Sequence, residues 1–401
     1  MDQKKKITVV YYLAFIALGL ITGMLGPSLP TFAKNTGTTF SQLSTLFIFS
    51  SLGFMSGAFI AGTLLKKFDG HKVIAVVLVL LAIGVASLPL LQNLWLLILI
   101  LFLLGICQAH LDVGENTLIM WLHGNQVAPY MNGLHFFFGL GSFIAPLLIA
   151  QSLRVNENLN FAFWIMSAVI LIPVLFLLRF SPPTLETSPR SKTALSEKTP
   201  IALIVFLLLF FLGYVGAEMT LGNWLFTYAT KVSTMDAEQA AYLTSIFWGV
   251  FTFSRLAAVF ISKKLSTTIM LTGNLVGGAV TLILLILFVN QPTFLWIGSV
   301  LHALFIASTF PTAMNLAEQI GAVSSRVTSL IFIVASLGGM ISPWIAGQWI
   351  ESATPVIIIW IVLANFMISI VMFGSIIVFQ QRRKQKKPPL TEAPLTGNLN
   401  R

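Results

Sequence analysis

The sequence predicts an all-α membrane protein with twelve transmembrane helices in two six-helix halves. Three observations carry this expectation. The first is composition: 57% of the 401 residues are hydrophobic and only 9% are charged, against roughly 25% charged in a soluble domain. The second is run length. Twelve apolar segments are each long enough to approach the roughly 20 residues that cross a bilayer. The third is an internal repeat. Leu140-Gly141-Ser142-Phe143-Ile144-Ala145-Pro146 matches Leu337-Gly338-Gly339-Met340-Ile341-Ser342-Pro343, an offset of 197 residues, and the same offset carries Lys66-Lys67 onto Lys263-Lys264. Such repeats are common in transporter folds. The long unbroken runs exclude a β-barrel, whose strands alternate apolar and polar residues.

The segments run near 7–33, 41–65, 73–90, 95–121, 129–151 and 160–179, then 200–228, 238–262, 267–289, 294–320, 325–350 and 354–380. Segment 1 follows Lys4–Lys6. It is too long for a signal-peptide core and no small-residue cleavage site follows it, so it is expected to stay in the chain. Segments 2 and 3 are joined by a short basic loop. After segment 6 comes the longest polar interval, Ser181–Pro200, rich in Ser, Thr, Pro and charge, which reads as a linker. The expected units are therefore 1–180, a linker over 181–199, a second half over 200–380 and a tail over 381–401.

The net charge is +10, but the basic residues cluster at the ends of apolar runs, so orientation explains them better than nucleic acid does. Numbering loops from the N-terminus, one side holds Lys4–Lys6, Lys66, Lys67, Lys72, Arg179, Arg190, Lys192, Lys198, Lys263, Lys264, Arg326 and the basic tail. The other holds Lys34, Arg154 and Lys231. The positive-inside rule then puts both termini in the cytoplasm. Compact loops favour a bacterial inner membrane. The single cysteine, Cys107, lies inside an apolar run and reads as packing. A monomer is expected, with lipid as its surroundings.

Ionisable residues inside the spans carry the most weight, because one at a membrane helix centre costs roughly 2.5–3.5 kcal/mol on insertion scales. In segment 4, Gln108, Asp112, Glu115 and Asn116 fall at helical spacing on one face. Two ionised carboxylates one turn apart repel, and a proton or a small cation such as Na+ near Asp112 would relieve this. The bland alternative is a satisfied polar patch at a helix end. In segment 5, Asn132, His135, Gly139 and Ser142 form a stripe, and His135 reads either as a hydrogen-bonding group in a cavity or as a packed neutral ring. Segment 7 holds Glu218 one turn after Tyr214. Segment 8 holds Arg255, read as part of a structural or gating ion pair, and segment 10 holds Glu318 near its end, read as a gate or surface residue. His302, Thr309 and Thr312 share a face of segment 10, with intrahelical hydroxyl bonding as the favoured reading. Trp224 and Trp248 are read as stacking groups for a ligand or as interfacial anchors. No phosphate-binding glycine loop and no metal-ligand spacing is present, so neither an enzyme nor an ATP-driven pump is indicated and no cofactor is expected.

The stretch Gly105-Ile-Cys-Gln-Ala-His-Leu-Asp112-Val-Gly114-Glu115-Asn116 resembles segment 4 of the fucose permease-like major facilitators. Pro129-Tyr-Met-Asn132-Gly-Leu-His135-Phe-Phe-Phe-Gly139 through Pro146, and Tyr214-Val-Gly216-Ala-Glu218-Met-Thr-Leu-Gly222-Asn-Trp224, look closer to the sodium-dependent glucose transporter branch. The resemblance implies a major facilitator fold and symport of a hexose with H+ or Na+ by alternating access. It implies that Asp112 is the coupling carboxylate, joined by Glu115. It further implies substrate contact at Asn116, and the cavity reading extends this to Gln108, Asn132, His135, Glu218, Trp224 and Trp248. Segment 1 carries no acid, whereas the fucose permease uses one there. The loop between segments 2 and 3 has Lys66 where the superfamily usually has aspartate, with Asp69-Gly70 following. A proton-coupled exporter of amphipathic compounds is the alternative reading. A receptor or scaffold without transport is a third, and it would not need paired carboxylates.

Overall fold

The computed structural model describes residues 3–156, 158–183, 200–232, 235–352 and 354–385. Within them, twelve helices are long and apolar enough to cross a membrane, as the apolar runs predict. The first six are α1 Gln3–Thr36, α2 Thr45–Lys67, α3 Gly70–Ser87, α4 Leu94–His123, α5 Ala128–Asn156 and α6 Asn160–Leu177. The last six are α7 Ile201–Val232, α8 Ala237–Ile261, α9 Thr267–Leu287, α10, α11 Ser325–Trp349 and α12 Ile357–Gln385. Helix α10 comes in two pieces, Pro292–Ile306 and Thr309–Gln319, and a short helix Phe40–Leu43 precedes α2. Most of the expected linker, from 184 to 199, and the tail from 386 onward lie outside the described residues.

Local chemistry sets the helix ends. Asp69, Asn93, Asp236, Ser266 and Ser324 cap α3, α4, α8, α9 and α11, each side chain accepting from a backbone N–H of the first turn. Asp69, the acid that follows the altered basic loop, is thus a helix cap. After α4 and α10 the chain turns on Gly124 (φ 52°) and Gly321 (φ 69°), a backbone region that side chains disfavour. These two glycines are 197 residues apart, the offset of the sequence repeat.

The packing keeps the same offset. Helix α5 crosses α1 where Gly19 meets Gly141, and α11 crosses α7 where Gly216 meets Gly338. Gly19 and Gly216 are again 197 apart, as are Gly141 and Gly338. In lipid no hydrophobic drive separates helix from tail, so close backbone approach at small residues supplies the association. A Cβ on Gly19 would lie 2.7 Å from Ser142 N and 2.8 Å from Gly141 Cα. Helices α5 and α8 pack against each other, as do α2 and α11 and α1 and α7, joining the first six helices to the last six.

Because the number of crossings is even, α1 begins and α12 finishes at one end of the bundle, here the terminal end. At the far end, Trp95, Trp164, Trp349 and Trp360 stand exposed at helix ends, the belt that amphipathic rings form at a membrane surface. At the terminal end a hydrogen-bonded chain ties three elements. His71 Nδ1 lies 2.8 Å from the Phe180 carbonyl, which can only accept, so Nδ1 carries the proton. Nε2 therefore accepts from Tyr11 OH at 2.8 Å.

Overpacking a tight crossing costs about 1–3 kcal/mol. Gly19→Ala is expected to lower the melting temperature of the purified protein in detergent, because the new methyl meets α5 backbone rather than a movable side chain. An unchanged melting temperature would show that the α1–α5 crossing yields.

Candidate functional site

The helix crossings leave a cavity of about 440 Å³ between the two sets of six helices, within the range of small-molecule sites. Its wall is mostly apolar, with Phe15, Phe54, Phe138, Trp248, Phe310 and Phe332 among the lining side chains. Into this wall project a few polar groups. Thr22 of α1, Ser51 of α2, Gln108 and Asp112 of α4 and His135 of α5 come from the first set. Glu218 of α7, Arg255 of α8 and Ser336 of α11 come from the second. Asp112 is residue 19 of the 30 in α4 and Glu218 residue 18 of the 32 in α7, so both stand near mid-membrane. An adjoining cavity of about 310 Å³ continues along α5 and α8 towards the terminal end, lined by Asn132, His135, Arg255, Leu256 and Val259.

On the first wall, Asp112 is held by its neighbour. Asn116 Nδ2 donates to Asp112 Oδ1 at 2.9 Å and to the Asp112 carbonyl at 2.8 Å. That leaves the second carboxylate oxygen for the cavity. His135 presents its ring edge-to-face against Phe15, 5.7 Å between centroids. On the second wall, Arg255 Nη2 is 3.8 Å from Glu218 Oε1, an ion pair longer than a hydrogen bond. Its guanidinium also stacks over Phe251 at 4.3 Å.

The residues expected from sequence divide clearly. Gln108, Asp112, His135, Glu218, Trp248 and Arg255 meet at the cavity, and Asn132 reaches the adjoining one. Four do not. Asn116 turns back onto Asp112 and orients it. Glu115 is fully buried away from the cavity, and neither carboxyl oxygen has a hydrogen-bond partner. Three residues on, Glu115 lies about 60° round the helix from Asp112, outside the narrow strip of α4 that meets the cavity. Trp224 is fully buried at the far end, where its indole donates to Pro343 O at 2.9 Å, so it packs helices and does not stack on a cavity ligand. Glu318 is exposed at the end of α10; the ion pair of Arg255 is with Glu218. His302 of α10 is also off the cavity, bonded to Thr281 Oγ1 at 2.8 Å. Thr22 and Ser51 went unread in the sequence. Thr22 follows Phe15 and Leu18 at helical spacing on α1, but small hydroxyls in apolar helices more often bond their own backbone, as Thr22 does to Leu18 O. Among the described residues, no three His, Cys, Asp or Glu side chains gather to hold a metal.

The far end is closed above this cavity. Ser41 Oγ donates to Gln348 Oε1 at 2.7 Å, and Gln348 Nε2 donates to Ser41 O at 3.0 Å and is 2.9 Å from Ser44 Oγ. Phe40 N donates to Glu351 at 2.9 Å. Trp224 wedges between Phe40 and Phe47, and Lys231 sits over the Phe40 ring. Ser245 Oγ donates to Phe143 O at 2.7 Å, joining α8 to α5.

Residues 11–343 match the Major Facilitator Superfamily description. The chain is 31% identical over 372 residues to a Mus musculus protein named sodium-dependent glucose transporter 1A, covering 84% of this chain and 88% of that one. It is 30% identical over 370 residues to Homo sapiens sodium-dependent glucose transporter 1, covering 83% and 71%. Among solved structures it is similar to the nucleoside transporter NupG, with a TM-score of 0.70, 14% identity and coverage of 95% and 100%. It is also similar to the major facilitator FucP in the outward conformation, with a TM-score of 0.62, 18% identity and coverage of 94% and 99%. At these identities the structures speak to the fold alone.

The far-end contacts generate a prediction. Gln348→Ala removes three hydrogen bonds to Ser41 and Ser44, each worth about 1 kcal/mol net. With Cys107→Ser and a reporter cysteine replacing Ser51, the rate of reaction with a membrane-impermeant thiol reagent added at the far side should rise by about fivefold or more. An unchanged rate would place the closing contacts elsewhere.

Proposed function

We propose that this chain, which belongs to the Major Facilitator Superfamily, carries a monosaccharide across the membrane together with a cation by alternating access. The carrying observation is the single cavity that Asp112 enters from one wall and the Glu218–Arg255 pair from the other. A neutral polyhydroxylated ring suits it: hydroxyls both donate and accept, as Gln108, His135, Glu218 and Arg255 require, while the apolar ring face packs on aromatic walls such as Trp248. The relatives are by name sodium-dependent glucose transporters, which supports a hexose, here D-glucose, over the amphipathic drug of the rival reading.

The cation acts through Asp112. A bare carboxylate resists burial as the cavity closes, so the empty carrier reorients poorly until a cation balances the charge. A hard cation takes oxygen ligands, and Gln108, Thr22 and Ser51 offer oxygens around the same cavity as Asp112. Sodium is the coupling ion in this reading, following the relatives' names. The cation travels as cargo, and no resident cofactor is needed. Glu115, off the cavity, adjusts the charge behind Asp112. The protein works as a monomer in lipid, without nucleic acid, with its termini and linker in the cytoplasm. Its terminal end is then the cytoplasmic one, and the described state faces inward.

Asp112→Asn keeps hydrogen-bonding capacity but not charge. In proteoliposomes it should abolish uphill glucose accumulation while preserving counterflow exchange; accumulation against a gradient would remove Asp112 from coupling. Glu218→Gln and His135→Ala each leave a buried partner unpaired, at about 1–3 kcal/mol, so sugar affinity should fall about 5- to 150-fold. Unchanged affinity in both would make them packing residues. Cysteines replacing Ser191 and Thr391, both outside the described residues, should resist an impermeant reagent applied to intact cells, and labelling there would invert the orientation.

A further inference from the structure

The break in α10 has its cause in the sequence. Between Ile306 and Thr309 the helix is interrupted at Ala307 and Ser308. In a continuous helix the Ala307 carbonyl would accept from the N–H of residue 311, but residue 311 is proline and has none. A carbonyl left unpaired inside a membrane span is costly and is satisfied from neighbouring helices. Here the partner comes from α8: Arg255 Nε donates to Ala307 O at 3.0 Å. The preceding carbonyl, Ile306 O, accepts from Tyr214 OH at 2.9 Å, one turn before Glu218 on α7.

Arg255 therefore stands between two structures. One edge of its guanidinium holds the broken point of α10. The other lies in the cavity, 3.8 Å from Glu218, too far for a hydrogen bond, so both groups keep capacity for a ligand. Beyond the break, the Thr309–Gln319 piece of α10 runs to the terminal end, with Phe310 on the cavity and Pro311 on the passage leading out of it.

We propose that Arg255 is a positioning residue that couples occupancy of the cavity to the bend of α10. A sugar hydroxyl that accepts from Arg255 and donates to Glu218 draws the guanidinium towards the cavity. The Ala307 carbonyl is released, and the Thr309–Gln319 piece pivots over the passage. The differential contact that such a shift requires is the pair of hydrogen bonds the sugar makes to Arg255 and Glu218, set against the one bond given up at the Ala307 carbonyl. The proposal rests on the sugar-carrier reading above.

Pro311→Ala gives Ala307 O a partner within its own helix, so the carbonyl no longer depends on Arg255. Arg255→Lys keeps the charge but removes the Nε–H and the planar fork. With Cys107→Ser, spin labels on cysteines replacing Met120 of α4 and Glu318 of α10, both exposed, report the width of the terminal opening. Saturating D-glucose should shorten the interlabel distance in the otherwise native chain. In Pro311→Ala, glucose affinity should be retained or rise, because binding no longer has to break the Arg255–Ala307 bond, while the distance change and counterflow both fall by about tenfold or vanish. Arg255→Lys should also lose the distance change, at glucose concentrations raised to saturate it. An undiminished distance change in both variants with glucose bound would overturn the coupling and leave the carrier reading intact. No glucose binding by the labelled native chain would overturn the carrier reading and this proposal with it.

Discussion

An ionised side chain inside a bilayer needs water, a partner or a bound cation, at a cost of roughly 2.5–3.5 kcal/mol where none is supplied. This constraint organises the molecule. Of the ionisable groups within its spans, Asp112, Glu218 and Arg255 arrive from three different helices at one recess. That recess exists because α1 and α7 are drawn tightly onto α5 and α11 at glycine crossings, leaving space between the two sets of helices. Glu115 stays off that recess, fully buried without a hydrogen-bond partner, three residues from the carboxylate that reaches the cavity.

The scaffold repeats and the chemistry does not. At the 197-residue offset, Gly19 corresponds to Gly216, Gly124 to Gly321, Gly141 to Gly338, and the caps of α3 and α9 are Asp69 and Ser266. At the same offset Asp112 corresponds to Thr309, Glu218 to Ile21 and Arg255 to Ala58. Backbone positions that set helix crossings and turns match across the two sets of helices, while the charged groups diverge. One wall of the cavity presents a carboxylate, and the other presents an ion pair 3.8 Å long.

Much of this was legible in the sequence, for identifiable reasons. Apolar runs reveal spans because lipid forces every backbone group into a helix, and an acid or arginine inside such a run points to a cavity because little else tolerates it. Asp112, Glu218 and Arg255 could be read in this way. Helical spacing gives direction about one helix axis but not what stands opposite. Asn116 shares the Asp112 face yet bonds back to it, and Trp224 follows Glu218 by six residues yet packs against Phe40, Phe47 and Pro343. The far-end closure through Gln348 and the capture of Ala307 O by Arg255 depend on residues from separate helices. Pro311 interrupts the hydrogen-bond ladder of α10, and only the fold shows which side chain repairs it.

The central claim is that cation and sugar share one cavity, so that each changes the affinity for the other. Linkage requires the two effects to be equal. The direct measurement is a pair of binding titrations on purified protein, D-glucose with and without Na+, and Na+ with and without D-glucose. The account predicts that both dissociation constants fall by the same factor, about 5- to 150-fold for a coupling of 1–3 kcal/mol, and that Asp112→Asn removes the effect from the glucose titration. A glucose dissociation constant that is the same with and without Na+ would contradict it.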